Sequence, residues 1–552
     1  MKAGSARHPA RRTILLGGFL GTAFLAGGAR GEAPAPLVSP APPGPAAATT
    51  DYVLDVELAP ASGLLRVTAR IVLPPGTTAE FLLNASLRVR HAEPAVAEVP
   101  LGDVAAFFGN NAAAAEPSRR VLLKRYRAEG SPTDLKLTYE GTVRNELTAP
   151  KEEYQRGFRE TPGTIGPEGV YLAGSTFWLP SFDESLVSFR MAVKAPAGWQ
   201  LVSQGDGTAH GADGIARWDS KGPVDEVYLV GGPLHAWRDR AGSVETLAFL
   251  REKDDALAAK YLAATAQYLE MYRGLIGPYP YGKFALVENF WETGYGMASF
   301  TLLGPQVIRF PFILTSSYPH EILHNWWGNS VFVDYAKGNW CEGLTAYLAD
   351  HLIQEQRGKG EEYRRGTLQK YLSYVRDGRD FPLTEFRGRE SAATEAVGYG
   401  KALMGFHMVR RHLGDATFRK TLARFYTDFR GTRATFDDFR RTAEAVSGTP
   451  LSGLFDPWVT RAGAAELALG PTRVDRDGEG WKVTGTLRQV QQEAPFALVV
   501  PVAVVTEKGT VRQVVKLAGR EASFEVRSDA EPLGLAADPQ FDVFRKLDPR
   551  EI

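Results

Sequence analysis

Several residue types and patterns are scarce in this sequence, and each scarcity excludes some structural features or binding partners. Cysteine occurs once, at Cys341, in 552 residues, so no disulfide can form within the chain. Neither sign of charge is in excess, since 64 Lys and Arg residues balance 64 Asp and Glu residues. A nucleic-acid partner is therefore not expected, because such binding usually needs a basic face. Only nine histidines are present, so two close together are informative.

A hydrophobic run long enough to cross a membrane is missing from the N-terminus. Residues 13–26 are apolar, but a spanning helix needs roughly 18 such residues. Basic residues precede the run and small residues follow it, which predicts an export signal over residues 1–29. The pair Arg11-Arg12 resembles a twin-arginine signal; an ordinary secretory signal and an uncleaved anchor are the alternatives. We expect an exported protein, periplasmic or secreted, with no stable membrane span beyond the signal segment.

The chain is too long for one hydrophobic core, so several domains are expected. Residues 30–50 are rich in proline and alanine and predict a linker. Residues 51–240 alternate apolar and polar positions, which predicts an N-terminal β domain. Residues 241–464 are dominated by helical spacing and predict the catalytic domain. Strand patterns return in residues 465–552, which show no chemistry and predict a structural β domain, with partner binding as the minority alternative.

The stretch HEILH carries the clearest chemistry. Residues four apart share one face of a helix, so His320 and His324 can bind one metal ion with Glu321 beside it. The helix is predicted to end near Gly328. A catalytic zinc takes three protein ligands and keeps a position for water; Glu342, at the start of the next predicted helix, is placed to be the third. Such a centre lowers the pKa of its bound water and polarises a peptide carbonyl, and Glu321 would take the water's proton.

An acyl-transfer site also needs a donor for the oxyanion of the tetrahedral intermediate. Tyr399, in the segment EAVGYGKALMG, begins a predicted helix that could fold back toward the metal. The alternative is that Tyr399 is a packing residue, as most tyrosines in such a segment are.

These residues resemble the zinc aminopeptidases of the alanyl-aminopeptidase type, a gluzincin family that includes leukotriene hydrolase. The pattern HExxHxWxGN is met by His320, Glu321, His324, Trp326, Gly328 and Asn329. Further matches, in family order, are Gly277-Pro278-Tyr279-Pro280-Tyr281, Trp340-Cys341-Glu342-Gly343, Tyr399-Gly400-Lys401 and Phe455-Asp456-Pro457-Trp458.

The resemblance implies a multidomain α+β protein. Its parts would be an N-terminal β-saddle domain, a thermolysin-like, mainly helical catalytic domain and a C-terminal β-sandwich domain. It also implies one Zn²⁺ held by His320, His324 and Glu342, with Glu321 as general base and Tyr399 stabilising the transition state.

One departure from the family concerns the third ligand. The family places eighteen residues between its second histidine and the ligand glutamate, and here there are 17 (342 − 324 − 1). No other glutamate lies between Val331 and Cys341. Glu342 is therefore the expected ligand, with Asp334 and then Cys341 as alternatives.

A second departure concerns recognition of a substrate's amino terminus, which the family performs with a G-A-M-E-N stretch. The corresponding substrate-binding residues here are Gly296, Met297, Ala298 and Ser299, so alanine stands where the family has glutamate. An ammonium group in a closed pocket needs a compensating charge. Glu288 or Glu292 is an alternative source of it, and an enzyme that cuts inside peptides or prefers blocked amines is another interpretation.

The sequence thus predicts a zinc metallopeptidase acting on peptides, either an aminopeptidase or a relative with altered amino-terminal recognition. Two alternatives are a zinc hydrolase of a non-peptide amide or an epoxide on the same scaffold, and a non-catalytic binding protein that retains the fold. The presence of Glu321 disfavours the last.

Overall fold

The computed structural model describes residues 49–102, 104, 107, 122–130, 132–149, 160–183, 185–194, 196–207, 211, 213–376 and 378–551. The predicted signal segment and all but the last two residues of the predicted linker lie outside these ranges. Within them, no helix is long and apolar enough to span a bilayer.

The N-terminal part consists of strands, and its largest sheet has six of them. Its central strand pairs show strict alternation of buried and exposed side chains, so one face forms a core, which includes Leu54, Val67, Leu137 and Trp218. Its strands are β1 (Thr50–Ala59), β2 (Leu64–Val72), β4 (Leu87–Glu93), β7 (Asp134–Thr142), β10 (Val187–Lys194) and β12 (Ile215–Asp219). Their order in the sheet is β12-β10-β1-β2-β7-β4.

Two smaller sheets complete this part. A three-stranded sheet, in the order β3-β6-β5, has strands β3 (Glu80–Asn84), β5 (Val96–Val99) and β6 (Leu123–Ala128). A four-stranded sheet, in the order β11-β13-β9-β8, has strands β8 (Thr164–Gly166), β9 (Gly169–Leu172), β11 (Gln200–Val202) and β13 (Leu229–Gly232).

A five-stranded sheet opens the middle part and leaves one strand at its edge. The order is β14-β15-β16-β18-β17, with strands β14 (His235–Ala241), β15 (Val244–Leu250), β16 (Lys283–Glu288), β17 (Gly294–Met297) and β18 (Phe300–Leu303). The predicted boundary at residue 240 falls within β14, which pairs with β15 of this sheet. The edge strand β17 pairs only with β18 among the described strands, so its other side is open to an added strand.

The rest of the middle part is helical. The α-helices are α1 (Asp255–Leu275), α2 (Ser317–Leu323), α3 (Cys341–Ala346), α4 (Leu352–Gln356), α5 (Gly360–Tyr374), α6 (Ala392–Glu395), α7 (Ala402–Leu413), α8 (Asp415–Phe429), α9 (Phe436–Ser447) and α10 (Ser452–Thr460). Two π-helical segments interrupt otherwise continuous helices: Tyr347–His351 joins α3 to α4, and Ala396–Lys401 joins α6 to α7. Such wide turns recur at functional sites. A short pair, β19 (Phe332–Val333) and β20 (Arg433–Ala434), ties the region after α2 to the start of α9.

Strands return after α10 in two small sheets. They are β21 (Leu467–Leu469), β22 (Arg473–Asp477), β23 (Gly480–Gln489), β24 (Leu498–Thr506), β25 (Gly509–Leu517), β26 (Glu521–Ser528) and β27 (Pro532–Ala537). Their buried side chains belong to the same core as the helices, and Trp458 of α10 stacks on Phe496 with ring centroids 3.9 Å apart. The succession of N-terminal β-sheets, helical middle and C-terminal β-sheets confirms the predicted multidomain α+β class.

Candidate metal centre and active site

The two histidines of HEILH lie at the end of α2. His320 and Glu321 are in the helix and His324 is its C-cap, with the two imidazole centroids 4.9 Å apart. The helix ends five residues before the predicted Gly328. The reason is a turn: the N–H of Asn329 donates to the carbonyl of His324, and Gly328 adopts a φ of +95°, a value that favours glycine.

Glu342, near the start of α3, completes a three-residue cluster. Its Oε2 lies 3.4 Å from Nε2 of His320 and 3.5 Å from Nε2 of His324. One ligand atom from each residue lies within 4.8 Å of the others. Oε2 of Glu342 is buried and has no hydrogen-bond partner among the described residues. Two imidazoles and one carboxylate are a donor set that zinc accepts, so the cluster is consistent with a zinc site.

Nδ1 of each imidazole, the outer nitrogen, also has a partner. These contacts hold Nε2, the inner nitrogen, facing the cluster. Nδ1 of His320 lies 3.1 Å from Oδ2 of Asp350. Nδ1 of His324 lies 3.2 Å from the carbonyl oxygen of Trp327 and 3.4 Å from Sγ of Cys341. Such partners fix the tautomer and orientation of a ligating histidine.

The cluster shifts the ionisation of its members. Burial raises the pKa of the Glu342 carboxyl, but the adjacent His324 and His320 outweigh it and hold that pKa far below its ordinary value. Burial lowers the pKa of His320, but Asp350 and Glu342 outweigh it and raise that pKa to about 10. The two carboxylates act from opposite sides of the ring, Asp350 at Nδ1 and Glu342 at Nε2, and both stabilise positive charge on it. Burial raises the pKa of Glu321, which suits a general base.

Tyr399 is brought to the cluster by the second π-helical segment. Its side chain is within hydrogen-bonding reach of Glu342, and burial followed by this carboxylate raises the pKa of its phenol well above the ordinary value. It therefore stays protonated and able to donate. The two helices concerned touch closely, because a Cβ at Gly343 of α3 would lie 2.3 Å from Cβ of Ala402, the first residue of α7.

A cavity of about 590 Å³ contains these groups. Its lining includes His320, Glu321, His324, Glu342 and Tyr399. Gly296, Met297 and Ala298 line it too, as the end of edge strand β17 and the turn that follows. Ser299 is placed differently, because it is fully buried behind the strand. Its hydroxyl accepts a hydrogen bond from Nζ of Lys283 at 2.7 Å, and its N–H donates to Asn325.

The carboxylates suggested as substitutes for the missing family glutamate are occupied elsewhere. Glu288 forms a 2.6 Å ion pair with Arg309, and Glu292 accepts hydrogen bonds from the N–H groups of Gln306 and Val307. Neither is among the described lining residues of the cavity. Similarly, Asp334 accepts from the N–H of Ala336 and is not in the metal cluster. Cys341 lies beside the outer nitrogen of His324, away from the inner nitrogen that faces Glu342.

Three other carboxylates, which were not among the residues predicted from sequence, also line the cavity. They are Glu160, Asp225 and Glu226 from the N-terminal part. The carboxylate of Glu226 accepts hydrogen bonds from the Gly174 N–H and the Tyr228 hydroxyl. Burial raises the pKa of Asp225 to about 7 despite nearby Arg433. No motif marks these residues, because they reach the site only through the packing of the N-terminal sheets on the helical part.

Comparisons with known proteins agree with this geometry. A model of the peptidase family M1 domain matches residues 315–458. Probable aminopeptidase 2 of Sulfurisphaera tokodaii is 21% identical over 297 residues, which are 49% of this chain and 37% of that protein. The mitochondrial aminopeptidase 2 of Saccharomyces cerevisiae is 24% identical over 251 residues, 42% of this chain and 26% of that protein.

A solved structure shares the fold. It is a mutant M1 zinc metallopeptidase from Deinococcus radiodurans bound to a Tyr-Ser-Ala substrate, with a TM-score of 0.57 and 18% identity over 76% of this chain and 95% of that one. The matched segments thus span well under half the length of these two curated relatives. The family match over residues 315–458, the shared fold and the residues of HEILH together show that the chain is a distant homologue of peptidase family M1.

Proposed function

We propose that this protein is a zinc-dependent metallopeptidase that hydrolyses peptide bonds, with an amino-terminal recognition different from that of its aminopeptidase relatives. The observation that carries the proposal is the convergence of His320, His324 and Glu342 in one cavity with Glu321 and Tyr399. A zinc ion bound there would supply Lewis acidity toward the scissile carbonyl and toward a water molecule.

The chain's own residues would position the substrate and move the proton. An extended peptide can pair with the open edge of β17, which runs along the cavity wall. Glu321 would accept the proton of the attacking water at its carboxylate and return it to the leaving amine. Tyr399 would donate a hydrogen bond to the developing oxyanion, because burial keeps its phenol protonated.

Recognition of the amino terminus would differ because Ala298 carries no charge. The carboxylates of Glu160, Asp225 and Glu226 face the cavity, so an ammonium group there would find its countercharge on the N-terminal part of the chain. This arrangement supports an aminopeptidase-like enzyme over a strict endopeptidase.

The test is a panel of matched peptides with free and acetylated amino termini, including tripeptides and internally quenched longer peptides. Each is assayed with zinc and with a chelator. We expect zinc-dependent cleavage with preference for free amines. Faster cleavage of acetylated peptides would reject amino-terminal recognition, and loss of all peptide cleavage in zinc-loaded protein would reject the peptidase.

A further inference from the structure

A buried polar cluster joins the helical part to the C-terminal strands. Its centre is Asp542, in the segment that follows β27, and its side chain is 5% exposed. Oδ1 of Asp542 lies 2.9 Å from Nε2 of His407 on α7 and 3.2 Å from Nη2 of Arg364 on α5. A single carboxylate from the C-terminal part thus contacts two helices of the catalytic part.

The two helix residues pass the contact to the first π-helical segment. Nδ1 of His407 lies 3.0 Å from the hydroxyl of Tyr347, and Nη1 of Arg364 lies 2.8 Å from Nε2 of His351. Tyr347 and His351 are the first and last residues of the segment Tyr347–His351. Their rings stack with centroids 5.0 Å apart. Both ends of the segment are therefore tied to Asp542.

The directions of these hydrogen bonds are determined by the ionic states. The Asp542 carboxyl has its pKa raised by burial but lowered further by His407, so it stays charged and accepts from Nε2–H of His407. Burial lowers the pKa of His407, so the neutral ring accepts at Nδ1 from the Tyr347 hydroxyl. Burial also lowers the pKa of His351, so its Nε2 accepts from Arg364. The contacts that join Asp542 to Tyr347 and His351 thus each have one compatible direction, while Nδ1 of His351 and Oδ2 of Asp542 have no hydrogen-bond partner among the described residues.

Between the two tied ends lies Asp350, whose carboxylate contacts Nδ1 of His320 at 3.1 Å. A regular α-helix would rotate Asp350 relative to α3, because a π turn changes the angular offset of every residue after it. The same continuous helix carries Glu342. The wide turn therefore allows Glu342 to contact Nε2 of His320 while Asp350 contacts Nδ1 of the same ring.

We infer that Asp542 is a positioning residue for the metal centre: from the C-terminal β part, it holds the π-helical segment that aims Asp350 at His320. The inference rests on the proposed function only in requiring that zinc binds His320, His324 and Glu342. It assigns the C-terminal strands a part in metal affinity. Burying the charge of Asp542 costs free energy of folding. Its role in fixing the position of a helix gives a reason for this buried charge.

The experiment measures zinc affinity by chelator competition, at fixed pH and without substrate, in the full chain. Asp542→Asn can still accept from His407 but loses the charge that pairs with Arg364. We expect its zinc affinity to fall about tenfold, within the range known for residues that support metal ligands. Tyr347→Phe is a milder second variant, which keeps the ring but loses the hydroxyl contacts to His407 and Arg410. It should shift affinity in the same direction.

Two controls separate positioning from general destabilisation. Leu517→Ala removes a fully buried side chain of β25 in the C-terminal core and should lower stability without changing zinc affinity. In an Asp350→Asn background, Asp542→Asn should have little further effect, because both act on the same imidazole.

Unchanged zinc affinity in both Asp542→Asn and Tyr347→Phe would overturn the inference. So would an equal fall in Leu517→Ala, or additive losses in the double variant. Since no substrate is used, failure of the peptidase proposal would leave this result interpretable: a protein that binds zinc but cleaves no peptide refutes the enzyme and not the positioning role.

Discussion

Gly296 lies so close to Glu321 that a Cβ added to the glycine would be 2.4 Å from Oε2 of the glutamate. The carboxylate can move away, because it is the end of a flexible side chain, but it would then leave its place beside the metal cluster. We predict that Gly296→Ala keeps the fold and bound zinc while kcat falls at least tenfold. Zinc analysis, thermal unfolding and steady-state kinetics with a cleaved peptide measure the three quantities.

A matched control is Gly366→Ala on α5, where an added Cβ meets no atom within 4 Å. It should leave kcat unchanged and raise stability slightly, because alanine favours helix over glycine. Normal turnover in Gly296→Ala would show that Glu321 does not need its present position.

Glu321→Gln tests the general base. Glutamine has nearly the same shape but cannot take a proton, so zinc content should be retained while kcat falls by roughly 10² or more. Metal analysis and kinetics on the same preparation decide the matter. Turnover within a few-fold of the parent enzyme would refute the assignment.

Glu342→Ala tests the third ligand. With one of three donors gone, zinc affinity should drop by several orders of magnitude in a chelator competition. Asp334→Asn is the control and should bind zinc nearly as the parent does, because Asp334 presents no atom to the cluster. Cys341→Ala removes only a contact to Nδ1 of His324, so its loss of affinity should be far smaller than that of Glu342→Ala. If one of them loses zinc while Glu342→Ala retains it, the ligand set is different.

Asp225→Asn combined with Glu226→Gln tests the acidic wall of the cavity. Removing two carboxylates should raise KM for free-amine peptides about tenfold or more and leave acetylated peptides nearly unaffected, because only the former carry an ammonium group. Lys260→Met, a change of an exposed residue on α1, is the neutral reference. An equal rise in KM for both peptide classes would place ammonium recognition elsewhere.

The buried Lys283 predicts a dependence of stability on pH. Burial lowers its pKa to about 7, although Asp206 and Glu245 oppose the shift, whereas in the unfolded chain the value is near 10.5. Between these values the unfolded chain binds more protons than the folded one, so this residue makes the free energy of unfolding rise with pH from about 7 to about 10. The increase amounts to a few kcal/mol at most.

Urea unfolding of the parent and of Lys283→Met at pH 7, 8 and 9 measures the effect. The methionine variant should show a smaller increase than the parent, and Lys260→Met should show the same increase as the parent. Parallel curves for the parent and Lys283→Met would mean that the lysine does not titrate in this range.

The grouping of the candidate metal ligands could be predicted from sequence because their geometry is local. His320, Glu321 and His324 need only one turn of helix, and Glu342 begins the next helix. The order of β, helical and β parts was equally readable from the periodicity of apolar residues. The predicted end of α2, near Gly328, was wrong by five residues, because the helix ends at Leu323. The turn in which the Asn329 N–H donates to the His324 carbonyl was not predicted from sequence.

Contacts between distant segments were not predictable. Asp225 and Glu226 reach the cavity from a loop that precedes β13, and Asp542 reaches His407 across 135 positions of sequence. The π-helical segments were read as ordinary helix, because a wide turn preserves the apolar spacing on either side of it. The position of Tyr399 in a predicted helix made it a candidate oxyanion donor but fitted a packing residue equally well, so its expected role rested on the resemblance to a family motif.

The close approach of Gly343 to Ala402 makes the separation between two helices of the candidate site depend on the missing Cβ of a glycine. One helix carries the proposed ligand Glu342, and the other follows directly from the segment that carries Tyr399. Glycine at 343 thus acts as a spacer of zero length between them. A side chain at position 343 would push the two helices apart, and with them Glu342 and the phenol of Tyr399. The effect of substituting Gly343 would therefore measure how precisely the distance between the metal cluster and the Tyr399 hydroxyl must be set.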